Sequence, residues 1–257
     1  ADRRELYSSA YDELYKRVPH HSQLTKKASV QDRQAQVAEQ LRFLDRFLTP
    51  ESTFLEVGAG DCALSLAATK RVRQVYAVDV SEQITHTEVM PPNFSLILTD
   101  GTSIPVPRCS VDVAYSNQLM EHLHPDDALE QLTNIFGVLK PGGKYICLTP
   151  NRLTGPHDIS RYFDREATGF HLKEYTFSEL VTLMRQVGFE TTSNLFRLRG
   201  RAVKVPMLMR AAETALAPLP ASMRTSLVDN RKMRSLLEIR LLAVKPLATN
   251  PPLRGIS

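Results

Sequence analysis

Glu56, Gly58, Gly60 and Asp79 are the first residues in this sequence whose types and spacing could do chemistry. The glycines lie in Phe54-Leu55-Glu56-Val57-Gly58-Ala59-Gly60-Asp61-Cys62-Ala63-Leu64-Ser65, which reads as a short apolar strand, a tight turn and the start of a helix. Glycine takes backbone angles closed to other residues and, lacking Cβ, lets a ligand approach the main chain. The helix behind the turn begins with N–H groups that have no intrahelical acceptor and favour an anion. Asp79 ends a second apolar run, Val75-Tyr76-Ala77-Val78, where a carboxylate can accept both hydroxyl hydrogens of a ribose. The set predicts a site for a cofactor that carries a nucleoside.

Gly58, Gly60 and Ala63 also satisfy the dinucleotide pattern G-x-G-x-x-G/A. Glu56, two residues before the first glycine, decides between the possibilities. A carboxylate there is awkward beside a pyrophosphate but suits the amino group and sulfonium of S-adenosylmethionine. The run Glu56–Cys62 resembles the first motif of class I S-adenosylmethionine-dependent methyltransferases, acid-x-Gly-x-Gly-x-Gly, with Cys62 in place of the third glycine. Cysteine is small, so close packing behind the loop is expected to survive.

Three further blocks follow in the family's order. Thr99-Asp100-Gly101 comes after a third strand, Phe94–Leu98. Val111–Asn117 forms a fourth strand and leads into Gln118-Leu119-Met120-Glu121-His122, and Pro125 then opens a helix to about Leu139. Leu139-Lys140-Pro141-Gly142-Gly143 turns into a fifth strand. The resemblance therefore covers residues 54–150, and it implies roles for individual residues. Glu56, Gly58 and Gly60 would hold the methionine part of S-adenosylmethionine, with Asp61 beside them. Asp79 and Val80 would hold the ribose, and Asp100 and Gly101 the adenine. Asn117, Gln118 and His122 would close the cofactor pocket, and S-adenosylhomocysteine would be the product. Asp100-Gly101 can also be read as a turn and nothing more.

Methyl transfer from a sulfonium is an in-line displacement, so alignment of donor and acceptor is the main task. A hydroxyl acceptor also benefits from a base. His157 lies in the loop after the fifth strand, on the acceptor side of this fold, with Asp158 placed to orient its ring. His171 is the second acceptor-side candidate. Glu121-His122 with the distant His171 resembles the small-RNA 3′-terminal 2′-O-methyltransferases, in which two glutamates and two histidines bind a divalent metal. Gln118 stands where the first of those glutamates should be, and an amide is a poorer ligand for a hard cation. The expectation is therefore no metal, with Glu121-His122 packed beneath the cofactor. His20-His21 would reach the site only if the N-terminal segment folds over it.

Alternating strands and helices with short links position these residues on a mainly parallel sheet. The expected fold is a Rossmann-like, doubly wound, seven-stranded α/β sheet whose last strand is antiparallel. Residues 1–50 would form a helical lid, with Tyr7, Tyr11 and Tyr15 on one helix face and Val37, Leu41, Leu44 and Leu48 turned inward on a second helix. Residues 51–200 would be the cofactor-binding core, with Thr176 capping a helix through Glu179 and Thr191–Leu198 as the sixth strand. Residues 201–235 would be a helical insertion on the acceptor side, and residues 236–257 a closing strand and tail.

Apolar content of 42% against 23% charged residues places the chain with ordinary globular proteins. It contains no run of 18 apolar residues and nothing resembling a signal peptide. Cys62, Cys109 and Cys147 lack metal-ligand spacing and read as reduced thiols, which suits a cytoplasmic setting. Residues 1–195 hold 20 Lys/Arg against 25 Asp/Glu, whereas residues 196–257 hold 12 against 3. That basic end suits a solvated face or a phosphorylated or lipid-linked acceptor. No RNA-binding motif accompanies it, so nucleic acid is not the expected partner. The expected reaction is O-methylation of a small molecule, glycan or natural-product intermediate. The alternatives are an RNA 2′-O-methyltransferase-like enzyme and a nicotinamide-dependent oxidoreductase. The runs after Tyr11 and Tyr145 lack the lysine of a Tyr-x-x-x-Lys pair.

Overall fold

The computed structural model describes residues 30–81, 90–164, 167–205, 208–228 and 231–247. The Tyr7–Tyr15 stripe, His20-His21, the polar stretch 82–89 and the tail beyond residue 247 lie outside the described residues. One eight-stranded sheet organises the rest. In chain order the elements are α1 (Val30–Leu44), β1 (Thr53–Val57), α2 (Ala63–Ala68), β2 (Gln74–Asp79), β3 (Phe94–Leu98), β4 (Val111–Asn117), α3 (Pro125–Val138) and β5 (Leu139–Thr149). They continue with α4 (Phe177–Val187), β6 (Thr191–Leu198), β7 (Arg201–Lys204), α5 (Leu208–Leu216), α6 (Ala221–Val228), α7 (Arg231–Leu237) and β8 (Ile239–Val244).

The strand order is β3-β2-β1-β4-β5-β8-β6-β7. β1 to β5 pair in parallel, while β8 runs antiparallel to both β5 and β6. Each face of the sheet carries its own core. Val37, Leu41 and Leu44 of α1 and Leu64 and Ala68 of α2 bury one face. Leu132 and Ile135 of α3, Leu180 and Met184 of α4, and Met209, Val228 and Leu237 of the last three helices bury the other. β1 is buried at every position, as a central strand covered on both sides must be. The capping box at α4 is formed as its sequence predicts, with Thr176 and Glu179 exchanging hydrogen bonds.

Two features modify the expected sheet. Residues 201–204 are a strand and not the start of a helical insertion, which raises the strand count from seven to eight. Arg199 and Gly200 both take positive φ, at 50° and 82°, and close a two-residue hairpin between Leu198 and Arg201. That geometry matches the right-handed twist of the paired strands. An arginine in the first turn position hides the usual Asn-Gly signal. Further along, the Leu-Lys-Pro-Gly-Gly turn is built into β5 as an irregularity, since Val111 faces Leu139 but Val113 faces Lys144. A Cβ on Gly143 would lie 2.7 Å from the Lys140 carbonyl oxygen, so only glycine fits there.

Lys245 fastens that turn to the end of β8. Its Nζ donates to the Phe136 and Leu139 carbonyls, both at 2.8 Å, and its backbone exchanges hydrogen bonds with Gly142 and Gly143. The side chain is buried, so truncation leaves two carbonyl acceptors without a donor. Lys245→Ala is expected to lower unfolding free energy by about 2–3 kcal/mol in urea titration. No change would show that the closing strand does not depend on this ammonium.

Candidate cofactor and acceptor site

The site gathers where the parallel strands end. Glu56, Asp79 and Asn117 lie at the carboxyl ends of β1, β2 and β4, and Asp100 follows the end of β3. β1 has β2 on one side and β4 on the other, so the chain reverses its winding there. Open α/β sheets bind ligands at such a switch point.

The glycine loop is tied to β2 through backbone hydrogen bonds. Gly58 N–H and Ala59 N–H both donate to the Val78 carbonyl, at 2.8 and 3.1 Å. Gly60 N–H donates to Asp79 Oδ2 at 2.7 Å. Val80 and Ser81 N–H hold the other Asp79 oxygen, at 2.8 and 3.1 Å. These three backbone donors fix the orientation of the Asp79 carboxylate. Gly58 and Gly60 take φ of 73° and 54°. Cys62 also sits in the left-handed region, at φ 57°, where a side chain costs about 1 kcal/mol. The third glycine of the motif would avoid that cost. Cys62 instead buries its thiol completely against the second core, which offsets part of the strain.

Glu56 is buried and accepts a hydrogen bond from Ser65 Oγ. Burial pushes its carboxyl up to about 8, against the Ser65 hydrogen bond that favours ionisation. A desolvated acid of this kind suits a cationic ligand, which would restore its charge. Asp61 and Asp100 are both engaged within the chain. Asp61 makes a two-pronged ion pair with Arg33 of α1 and accepts from Ala63 N–H at 3.2 Å. Asp100 accepts from Thr102 N–H, Ser103 N–H and Ser103 Oγ, which is its turn-forming role. Gly101, at φ 92°, offers its carbonyl to Gln131. Gln118 takes φ 55° and donates to the Leu148 carbonyl and to Glu238, while Leu119 covers Gly58.

A second polar group lies past β4 and β5. His171 Nδ1 is 2.7 Å from Glu174 Oε1, and His157 Nδ1 is 3.2 Å from Glu174 Oε2. His157 N–H also donates to Glu174 Oε1 at 2.7 Å, and its Nε2 lies 3.0 Å from Thr154 Oγ1. Both ring nitrogens of His157 are therefore engaged, whereas Nδ1 is the engaged nitrogen of His171. Burial alone would raise the Glu174 carboxyl, but the hydrogen bonds from His157 and His171 hold it at about 2. The same hydrogen bond raises His171 against the effect of burial, with the Glu121 charge adding to it. Asp158 does not orient His157, contrary to expectation. Its carboxylate is spent on the backbone N–H groups of Ser160, Gly169 and His171. Glu174 was missed in the sequence, where its only signal is its position three residues after His171.

Glu121 is fully buried and accepts from Thr149 Oγ1 at 2.9 Å, while its Oε1 has no partner. Burial pushes this carboxyl up to about 7 and drives His122 down to about 4. His122 Nδ1 is 3.1 Å from the Phe170 carbonyl, and its ring meets that of His171 edge-on at 4.9 Å. Glu121, His122 and His171 each place one donor atom within 4.8 Å of the others. Their chemistry fits a divalent cation. Gln118 is turned toward Glu238, so the geometry offers three donors.

Known proteins agree with this architecture. Residues 55–147 match the family described as a methyltransferase domain. A Mycolicibacterium smegmatis protein named "Probable S-adenosylmethionine-dependent methyltransferase" is 31% identical over 142 residues, covering 55% of this chain and 53% of the relative. A similarly named Mycobacterium tuberculosis protein is 31% identical over 136 residues, covering 52% and 47%. The chain thus spans about half the length of the curated relatives it matches. Among solved structures, Haemonchus contortus phosphoethanolamine N-methyltransferase 2 superposes with a TM-score of 0.55 at 19% identity, covering 81% of this chain and 52% of that one. An S-adenosylmethionine-dependent methyltransferase of Archaeoglobus fulgidus does so at 0.54 and 16% identity, covering 83% and 94%. The domain match falls on the strands that carry the glycine loop and the four carboxyl-end residues, so residues 55–147 of this chain are similar to a methyltransferase domain and the chain shares the fold of S-adenosylmethionine-dependent methyltransferases.

Proposed function

We propose that this protein transfers a methyl group from S-adenosylmethionine to a hydroxyl oxygen of a small molecule, glycan or natural-product intermediate. The observation that carries the reading is the Gly60–Asp79 hydrogen bond beside the buried acid Glu56. It supports a ribose acceptor and a cation-seeking carboxylate at one switch point. Bound S-adenosylmethionine supplies a methyl group on an already activated sulfonium. In this reading Glu56, Gly58 and Gly60 hold the methionine part, with Asp61 bracing the loop through Arg33. Asp79 and Val80 hold the ribose, Asp100 and Gly101 shape the adenine end, and Asn117, Gln118 and His122 close the pocket.

On the acceptor side His171 takes the hydroxyl proton at Nε2, because Glu174 fixes the ring by its Nδ1. His157 is a positioning residue that holds Glu174 from the other side. A second reading adds a divalent cation at Glu121, His122 and His171, favoured by the unpartnered Glu121 Oε1. It would make His171 a ligand and the acceptor a diol-like group, such as the end of an RNA strand. Calorimetric titration of manganese into the protein separates the two. Saturable binding lost in Glu121→Gln selects the cation, and absence of heat selects the His171 base.

Labelled methyl transfer to a panel of hydroxyl compounds tests the reaction itself, and products methylated on nitrogen alone would overturn the oxygen assignment. With an acceptor in hand, Glu174→Gln is expected to lower kcat by about tenfold or more with S-adenosylhomocysteine affinity unchanged. Loss of the carboxylate also lowers the His171 pKa, so the acid limb of the pH–rate profile should move to lower pH. A purely structural role would leave that limb in place.

Glu56 predicts a pH effect on cofactor binding. Its carboxyl is protonated below about 8 in the free protein, and a cationic ligand favours the ionised form. S-adenosylhomocysteine affinity should therefore rise from about pH 6 to about pH 8 and then level off, with a proton released per binding event at the lower end. Calorimetry in buffers of different ionisation enthalpy reads that proton. An affinity independent of pH in wild type would contradict the assignment, and Glu56→Gln should abolish the dependence.

A further inference from the structure

The edge of the sheet away from β3 carries a concentrated positive charge. β7 is the last strand there and pairs with β6 alone. The hairpin Thr191–Lys204 contains no acid, and Arg199 in its turn and Arg201 and Lys204 on β7 are exposed. α1 and the turn after it bring two more exposed cations to the same edge. Arg42 lies across the hairpin turn, with its Cδ 2.7 Å from where a Cβ of Gly200 would stand. Arg46 Nη1 donates to the Ala202 carbonyl at 2.9 Å. Two acids of the same helix and turn are already neutralised, Glu39 by Arg197 and Asp45 by Arg71. Among the described residues, Arg42, Arg46, Arg199, Arg201 and Lys204 form no ion pair. Like charges gathered on one surface repel one another and favour an anion that spans them.

The chemistry of the edge excludes several partners. In a two-residue hairpin the pair beyond the closing pair turns its N–H and C=O groups outward, so the Ala202 carbonyl faces the free edge. Arg46 holds that carbonyl and blunts the edge against an added peptide strand. Leu198 is the exposed large apolar side chain of the hairpin, too little to enter a bilayer. The one aromatic of the hairpin, Phe196, is half-buried and gives unstacked bases no open platform. Arginine suits a row of phosphates, because its planar fork bonds two oxygens at once and stays charged. A two-stranded ribbon also fits the width of a duplex groove. β5 and β6 both run antiparallel to β8, so the Arg199-Gly200 tip stands at the carboxyl end of the sheet, the end at which the cofactor site lies. No sequence motif marks this surface, because α1 and the hairpin meet only in the fold.

We propose that the β6–β7 hairpin, with Arg42 and Arg46 beside it, binds the phosphate backbone of a nucleic acid duplex without reading its sequence. The binding does not rest on the methyl-transfer reading.

The test is fluorescence anisotropy of a labelled DNA duplex of about 16 base pairs, titrated with the full chain at salt from about 50 to about 200 mM. Affinity is expected to fall with salt along a log–log slope between about −3 and about −5, as for about four or five phosphate contacts. Arg42→Gln/Arg199→Gln should make that slope shallower by about two and weaken binding by about tenfold or more at the lowest salt. An unchanged urea midpoint reports that the variant is folded. If the midpoint falls, Arg201→Gln/Lys204→Gln takes its place in the same assay. Wild type that leaves the duplex free at the lowest salt overturns the proposal, as does a folded variant with the wild-type slope. Tighter binding of the separated single strand assigns the edge to another partner and also overturns it. So does sedimentation with phosphatidylglycerol vesicles in place of duplex binding.

Discussion

The hydrogen bond from Gly60 N–H to the Asp79 carboxylate joins the two pieces of chain on which the cofactor end depends. The loop after β1 has no regular structure to hold it, so its shape follows from where its N–H groups find acceptors. Two go to the Val78 carbonyl and one to the Asp79 side chain. The loop can make those bonds because Gly58, Gly60 and Cys62 all take left-handed angles within five residues. Glu56 is buried beside the loop, and that burial pushes its carboxyl up to about 8. Strand pairing, loop conformation and acidity are one arrangement.

The histidine cluster past β5 depends on a different anchor of the same kind. Glu174 is almost wholly buried and is surrounded by donors from two parts of the connection between β5 and α4. A buried carboxylate is costly unless it is hydrogen-bonded, and this one is held ionised by His157 and His171. The consequence is two histidines with unequal freedom. His157 spends both ring nitrogens on Glu174 and Thr154, and His171 spends Nδ1. The division of roles between them follows from that count and not from their positions in the sequence.

Much of this architecture was legible in the sequence because strand ends and turns leave strong local marks. Glu56, Gly58, Gly60 and Asp79 are spaced by a strand–turn–helix–strand unit, and Thr176 with Glu179 announces a helix start. The Arg199-Gly200 hairpin was not legible, since arginine at a left-handed position is disfavoured and only the pairing of β6 with β7 compensates it. Glu174 escaped for a different reason. Its partner His157 is 17 residues away, and no periodicity links an acid to a histidine across a loop. Asp158 was the reasonable neighbour to choose, yet backbone N–H groups claimed it first. Local chemistry is readable from spacing; a choice between two nearby carboxylates is made by the tertiary fold.

The central claim is that the glycine loop, Glu56 and Asp79 bind S-adenosylmethionine and its product and not a nicotinamide cofactor. The most direct measurement is parallel calorimetric titration with S-adenosylhomocysteine, NAD and NADP, on wild type and on Asp79→Ala. Saturable binding of S-adenosylhomocysteine alone is expected, lost or strongly weakened in the variant. Saturable binding of NAD or NADP with no response to S-adenosylhomocysteine would contradict it.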